Sequence, residues 1–259
     1  MDYQYILVDV KDRIATVTIN RPEYSNAFAR ESYFEIADAM NTLGAREDVG
    51  AIVITGAGKH FSAGGDIKRF KMLVDTGAYL KAEDIEAVSA MPMSIRNCPK
   101  PVIAMINGVA TGAGLSCALA CDFRIVEPSS KMIMAFVNMG LCGDNESIYT
   151  LMRLVGPDKA ELMMMTGDAY KGEQCVKTGL ATILAEDGKL AETTYALAAK
   201  LASKSSTAHA GQKRLIRKYF YGGMENFAKD EGIEMAAASR QPDFTEAVNA
   251  FIEKRMPAY

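Results

Sequence analysis

Two short apolar segments constrain the fold of this chain more than any other feature of its sequence. Residues 51–55 and 101–106 are rich in Val and Ile, and glycine lies close to each. Continuous apolar runs of this length are typical of strands buried on both faces of a parallel sheet. A helical period precedes the first segment, between residues 29 and 43, and polar helical material lies between the two segments up to about residue 97. This alternation predicts an α/β fold.

The rest of the chain extends that prediction. Residues 6–10 and 14–19 alternate apolar and polar side chains around a turn at 11–12, which predicts a hairpin. Further strands are expected at 123–126 and 180–184, and a helix of small residues at about 112–120. Helical patterning dominates beyond Gly140, with three amphipathic helices in the last 70 residues. We therefore expect an α/β core at residues 1–195 and a helical region at 196–259.

The overall composition excludes several classes of protein. Lys and Arg number 29 against 32 for Asp and Glu, and a net charge of -3 is not that of a dedicated nucleic-acid binder. No apolar run approaches the roughly 18 residues of a membrane span, and the first residues do not look like a signal peptide. Five scattered cysteines and two histidines offer no metal-ligand spacing. We expect a cytoplasmic protein with reduced cysteines, no metal and no membrane or nucleic-acid partner.

Two glycine-containing loops each follow a predicted buried strand and lead into a helix. They are residues 62–66 (SAGGD) and 108–114 (GVATGAG). Parallel strands end at the same edge of a sheet, so these loops should meet there, with backbone N–H groups available to a ligand. Two converging N–H groups form an oxyanion hole. A dinucleotide-binding loop at 56–61 is the weaker alternative, because Phe61 occupies its third glycine position.

Several motifs in one order resemble the crotonase (enoyl-CoA hydratase/isomerase) superfamily, between residues 13 and 255. They are Asn20-Arg21-Pro22 with Asn26-Ala27, the run 61–67 (FSAGGDI), 100–104 (KPVIA) leading to 107–114 (NGVATGAG), 120–122 (ACD), 153–156 (RLVG), 166–167 (TG) and 250–255 (AFIEKR). The resemblance implies a spiral of ββα units with a C-terminal helical region, residues 196–259, that forms trimers or paired trimers.

The resemblance also implies functional residues. The oxyanion donors would be the N–H groups of Gly65 and Ala113, where alanine replaces the usual glycine. No cofactor is expected to stay bound, since coenzyme A enters as part of an acyl-CoA thioester substrate. The CoA contacts implied are Tyr24, Ala63, Asp66, Ile67 and Lys68, together with Phe251 and Lys254, which match residues that reach the CoA of a neighbouring subunit.

The sequence departs from the family where acid–base chemistry is expected. The two glutamates of a typical hydratase are replaced by Ser116 and Phe136. Ser116 retains a hydroxyl that can orient water, whereas Phe136 can only shape the substrate pocket, together with Met139 and Tyr149. Asp144 matches an aspartate that transfers protons in dienoyl-CoA isomerases and attacks the substrate in 4-chlorobenzoyl-CoA dehalogenases. Glu146 is a reserve candidate.

These substitutions favour isomerisation, hydrolysis or an atypical hydration over ordinary enoyl-CoA hydration. A single carboxylate can move one proton between two carbons, which is sufficient to shift a double bond. Three alternatives remain open. The chain is a non-catalytic acyl-CoA-binding protein, or a dehalogenase-like enzyme with Asp144 as nucleophile, or Asp144 only caps a helix.

Overall fold

The computed structural model describes residues 2–259, and it is an α/β structure with two sheets. Its nine strands in this range are β1 (Ile6–Lys11), β2 (Ile14–Ile19), β3 (Ala51–Gly56), β4 (Val102–Ile106), β5 (Val109–Thr111), β6 (Phe123–Val126), β7 (Lys131–Ile133), β8 (Ala169–Lys171) and β9 (Ile183–Leu184). The predicted hairpin is confirmed as β1 and β2, which pair antiparallel from Ile6↔Ile19 to Lys11↔Ile14.

Twelve α-helices lie within the same range. They are α1 (Arg30–Ala45), α2 (Ile67–Thr76), α3 (Ala82–Val88), α4 (Ala90–Asn97), α5 (Ala113–Ala120), α6 (Ser147–Val155), α7 (Pro157–Thr166), α8 (Gly172–Thr178), α9 (Leu190–Ala202), α10 (Ser206–Tyr219), α11 (Met224–Ala238) and α12 (Pro242–Glu253). Short 3-10 turns occur at Pro22–Tyr24 and Val137–Met139.

The large sheet has six strands in the order β1-β2-β3-β4-β6-β9, parallel throughout except for the first hairpin. Its central strands are buried on both faces, as their apolar runs predict. Ile52 and Ile54 of β3 belong to the main core, which includes α1, α4 and α5. Val53 faces a second core on the opposite side, under α9. The sheet is therefore the middle layer between helices.

The small sheet joins β5, β7 and β8 and explains the spiral that the resemblance implies. One ββα unit is β4, β5 and α5, in which the first strand enters the large sheet and the second enters the small one. In the preceding unit, Ser62 bridges Ala110 of β5 in the place of a second strand. The segments that carry the glycine loops are thus stacked beside one another.

Three sequence predictions are corrected. The sequence predicts none of the three strands of the small sheet, and it places Val109–Thr111, which forms β5, in a loop. The strand expected at 180–184 is only Ile183–Leu184. Four helices, not three, occupy the last 70 residues. The predicted boundary between residues 195 and 196 falls within α9, and the separate oligomerisation region stays a prediction.

Candidate active site

The first glycine loop runs from the end of β3 to the start of α2 and is held by Asn26. The Nδ2 of this buried side chain donates to the carbonyls of Ala57, at 2.8 Å, and His60, at 2.6 Å. The Ser62 hydroxyl donates to the Asn26 carbonyl at 2.8 Å. Buried polar groups that are hydrogen-bonded on every side fix a loop in one conformation. The loop is therefore a rigid part of the site.

The second loop is tied to the first by Asn107, which follows β4. Its Nδ2 donates to the Gly56 carbonyl at 2.7 Å, and its Oδ1 accepts from the Gly56 N–H at 3.1 Å. Backbone bonds add to this link, since Ser62 N–H donates to the Val109 carbonyl and Thr111 N–H to the Ser62 carbonyl. The two loops run side by side, as the parallel strands predict.

The backbone N–H groups of Gly65 and Ala113 lie where the loops meet. Both residues line one cavity, and neither N–H donates a hydrogen bond to another group of residues 2–259. Ala113 begins α5 without a positive φ, so its Cβ does not strain the backbone. Its N–H also lies at the positive end of the α5 dipole. Two open donors in one cavity can hold a negatively charged oxygen.

Gly64 explains how closely the loops approach. Its φ is +86°, and a Cβ built on it would lie 2.7 Å from the Thr111 carbonyl oxygen and 3.4 Å from the Ala113 nitrogen. Both the conformation and the lack of space exclude a larger residue. The glycine at this position brings the Gly65 and Ala113 segments into contact.

The cavity that these loops open into has a volume of about 350 Å³. Its wall is mostly apolar and includes Phe70, Leu80, Ile85, Val88, Phe136 and Met139. Apolar cavities of this size with a few polar groups are typical of small-molecule sites. Phe136 and Met139 thus occupy the pocket positions predicted for them. Tyr149 does not line the cavity, because its hydroxyl donates to the Gly222 carbonyl at 2.6 Å in a separate cluster with Tyr221 and Met224.

Asp144 also lines this cavity, and its carboxyl has no cation partner. The other two lining carboxyls in residues 2–259 are in ion pairs, Asp66 with Arg21 at 3.0 Å and Asp84 with Arg30 at 3.2 Å. Asp144 accepts only from Asn145 Nδ2, at 2.6 Å. Its carboxyl is therefore the one in this cavity that is open to a ligand.

Burial raises the pKa of Asp144 from 3.8 to about 6. The Asn145 hydrogen bond and the charge of Arg69 oppose this shift and keep the pKa below neutrality. A carboxyl with such a pKa can accept and return a proton near pH 7. Asp144 is not a helix cap, since the N-cap of α6 is Glu146 and no side chain caps it locally.

Ser116 and Glu146 lie behind Asp144 rather than in the cavity wall. The single Ser116 hydroxyl proton is shared between the Gly112 carbonyl, at 3.2 Å, and the Asp144 carbonyl, at 3.3 Å, so this side chain contacts the Asp144 backbone. Glu146 is fully buried, and burial together with the charges of Glu231 and Asp144 raises its pKa to about 9. Neither side chain reaches the cavity.

Glu231 of α11 is a third buried carboxyl in this region. Its Oε2 accepts from the Glu146 N–H at 2.7 Å, and its Oε1 accepts from the Ile148 N–H at 3.3 Å. Burial, with the nearby Asp144 charge, raises its pKa to about 8. A side chain from the C-terminal helices therefore satisfies the N-terminal amides of α6, immediately after Asp144.

The residues implied in CoA binding cluster at the start of α2. Ala63, Asp66 and Ile67 line the cavity. Asp66 accepts from Lys68 N–H at 3.0 Å, and the Lys68 ammonium lies 4.4 Å from the centre of the Tyr24 ring. Tyr24 and Lys68 thus lie together beside the cavity without lining it.

Phe251 is also near the cavity, and its expected contact with the CoA of a neighbouring subunit stays a prediction. It lines the cavity of its own chain, because α12 packs over α2, with Phe70 and Phe244 in edge contact at 5.6 Å. Lys254 ends α12 in a left-handed conformation and is exposed outside the cavity.

Sequence reasoning missed three residues of this region. Tyr33 and Arg69 line the cavity, and Glu231 supports the turn after Asp144. Each is on a helix in which nothing in the local pattern separates it from ordinary surface or core positions.

Comparison with known proteins agrees with this fold. The chain matches the Enoyl-CoA hydratase/isomerase family over residues 9–259. The chain belongs to this family. Its crotonase fold is that of an enoyl-CoA hydratase from Mycobacterium avium subsp. paratuberculosis K-10, with a TM-score of 0.90 and 26% identity over 100% of this chain and 99% of the other.

Two curated relatives in the family are isomerases. The chain is 31% identical to the trans-2-decenoyl-[acyl-carrier-protein] isomerase of Streptococcus mutans, over 100% of this chain and 99% of the relative. It is 30% identical to the 1,2-epoxyphenylacetyl-CoA isomerase of Escherichia coli, over 99% of this chain and 98% of the relative.

No helix within residues 2–259 has the length and hydropathy needed to cross a membrane. The same residues contain no cluster of three or more His, Cys, Asp or Glu side chains suited to a metal ion.

Proposed function

We propose that this enzyme isomerises an unsaturated acyl-CoA thioester by moving one proton through Asp144. The observation that carries the proposal is the unpaired Asp144 carboxyl in the same cavity as the open N–H groups of Gly65 and Ala113. No carboxyl is available at the two usual hydratase positions, which are Ser116 and Phe136. The two isomerases among the relatives support the same choice.

Each of these residues has a separate role in the proposed reaction. The thioester oxygen accepts hydrogen bonds from the N–H groups of Gly65 and Ala113, each of which is worth about 3 kcal/mol to the transition state. The Asp144 carboxylate removes a proton from the carbon next to the thioester and leaves an enolate whose charge rests on that oxygen. The protonated Asp144 returns the proton two carbons further along, so the double bond moves and no atom is gained or lost. Phe136 shields this step from water.

The test is Asp144→Asn, assayed with β,γ- and α,β-unsaturated acyl-CoA esters of several chain lengths. We expect turnover to fall at least about a hundredfold while affinity for the esters stays the same. Asp48→Asn is the matched control, because this exposed carboxyl pairs with Arg46 and does not line the cavity. In the wild-type enzyme, kcat/KM should decline as the pH falls below about 6, the pKa of Asp144 in the free enzyme.

Mass spectrometry of the products separates isomerisation from the alternatives. A product of unchanged mass, with deuterium incorporated in heavy water, supports isomerisation. Addition of water would indicate hydration, and free CoA would indicate hydrolysis. Tight binding of every ester without any product would identify a non-catalytic acyl-CoA-binding protein. Unchanged turnover in Asp144→Asn would remove Asp144 from the mechanism. The cytoplasmic location and the trimeric or hexameric assembly remain part of this proposal.

A further inference from the structure

Arg69 brings a positive charge without a counter-ion to the wall of the apolar cavity. It is half-buried on α2, and its guanidinium forms no ion pair or hydrogen bond with any group between residues 2 and 259. The neighbouring arginines differ, since Arg21 pairs with Asp66 and Arg30 with Asp84. A partly buried guanidinium normally finds an oxygen acceptor, because its five N–H groups are costly to leave unpaired.

Tyr33 of α1 brings a second open donor to the same cavity. Its ring is buried and packs edge-on against Phe28 at 5.0 Å. Its hydroxyl has no hydrogen-bond partner in the described part of the chain. A buried tyrosine hydroxyl usually has such a partner. The cavity therefore offers a phenol O–H in addition to the guanidinium.

These two groups lie in the electrostatic neighbourhood of Asp144. Burial raises the pKa of both Asp144 and Tyr33, the Asp144 charge adds to the rise at Tyr33, and the Arg69 charge opposes the rise at both groups. Yet Arg69 and Asp144 form no ion pair with each other. A ligand in the cavity can therefore contact Arg69 and Tyr33 while its reacting carbons face Asp144.

We infer that Arg69 and Tyr33 form a subsite for an oxygen atom on the acyl chain, so that the substrate is an oxygenated acyl thioester rather than a plain hydrocarbon one. This inference rests on the proposed function. A purely hydrocarbon chain would strip water from both donors and give nothing in return. A carbonyl, ether or carboxylate oxygen accepts from both, and a carboxylate can pair with the guanidinium in a bidentate manner.

The rest of the cavity wall indicates that one oxygen atom on the acyl chain is enough to satisfy the open donors. Apart from Arg69, Tyr33 and Asp144, much of the cavity wall is apolar and includes Leu80, Ile85 and Val88. The nearby Asp84 carboxylate already pairs with Arg30 and so does not neutralise Arg69. The chain that fits is apolar along its length, with one polar oxygen near α2.

The test measures binding of saturated CoA esters, which carry no double bond to isomerise. The probes are straight-chain acyl-CoA esters of four to ten carbons, each compared with its keto derivative and its terminal carboxylate derivative by calorimetry. We expect at least one oxygenated ester to bind about tenfold or more tightly than the hydrocarbon ester of the same length. The preferred derivative distinguishes a neutral oxygen from a carboxylate.

Variants test whether the preference for oxygenated esters comes from Arg69 and Tyr33. Arg69→Met should remove the advantage of the oxygenated ester, and Tyr33→Phe should reduce it, while affinity for the hydrocarbon ester stays equal or improves. Lys71→Met is the matched control, since Lys71 is on the same helix, pairs with Asp75 and does not line the cavity. Unchanged binding of free CoA verifies that each variant is folded.

Each outcome separates this inference from the proposed function. Equal or weaker binding of all oxygenated esters overturns the subsite but leaves isomerisation through Asp144 intact. A preference that survives in Arg69→Met also overturns it. Failure of Asp144→Asn to impair turnover overturns the reaction without affecting the binding ratio. Binding of no CoA ester at all would overturn both.

Discussion

Replacing Glu146 by Gln should stabilise the folded protein, and the gain should grow as the pH rises. Glu146 is fully buried, and neither of its carboxylate oxygens has a well-formed hydrogen bond in residues 2–259. Burial raises its pKa from 4.5 to about 9, with the Glu231 and Asp144 charges adding to the shift and the Ser89 side chain opposing it. At neutral pH the folded protein therefore holds a proton that the unfolded chain releases.

The magnitude follows from linkage between protonation and folding. Between pH 4.5 and pH 9, each pH unit lowers the free energy of unfolding by about 1.4 kcal/mol through this group. The total reduction in the free energy of unfolding through Glu146 is about 1 kcal/mol at pH 5 and about 3 kcal/mol at pH 7. The sign is that of a raised pKa, so stability is complete below pH 4.5 and is lost as the pH rises towards 9. Gln has the same shape and carries no such penalty.

The assay is urea denaturation of wild type and Glu146→Gln at pH 5, 6, 7 and 8. The difference in the free energy of unfolding should rise by about 1.4 kcal/mol per pH unit. An amide that lacks partners of its own would lower every value equally, so the slope is the diagnostic quantity. Glu234→Gln, at an exposed site on α11, should give a flat difference. A flat difference for Glu146→Gln as well would refute the buried, proton-holding state.

Two further substitutions test how the site is supported. Glu231→Ala leaves the N–H groups at the start of α6 without their carboxyl acceptor and should cost about 1–3 kcal/mol in urea denaturation at about pH 4. At that pH the raised pKa of Glu231 carries little penalty of its own. Glu234→Ala on the same helix should cost little, and equal losses would show that Glu231 does not hold this turn. Gly114→Ala would place a Cβ 2.6 Å from the Ser62 Cβ, so it should lower the free energy of unfolding by about 1–3 kcal/mol and also lower turnover. Gly211→Ala is the control, because the nearest atom to its added Cβ is 3.9 Å away, and it should slightly stabilise α10. Normal turnover in Gly114→Ala would mean that the loops tolerate separation.

The sequence predicts the parts of the fold that have a strong local signal. The central strands β3 and β4 are continuous apolar runs, and the glycine loops after them have the composition that close backbone contact requires. The small sheet was missed because its three strands have three residues each, too few for a period to show. Its stability comes from pairing with distant segments, which local patterns do not record.

The candidate site, like the fold, could be predicted only where the sequence carries a strong local signal. Gly65 and Ala113 are in recognisable loops, and Asp144 is singled out by the resemblance of its segment to the family. Arg69 and Glu231 are on amphipathic helices where a charged residue is ordinarily a solvated surface position. Only the packing of α2 and α11 against the cavity and the α6 turn makes them part of the site. That packing is a long-range property.

The way the two loops are held explains how one scaffold can serve different reactions. The open amides are positioned by Asn26, Asn107 and Ser62, all of which bond to backbone and none of which lines the cavity. Under the proposed function, the lack of carboxylates at positions 116 and 136 changes the proton chemistry and leaves the two open N–H groups in place. Because Ser116 now bonds to the Asp144 carbonyl, the substitution that removes one acid also helps to hold another in place.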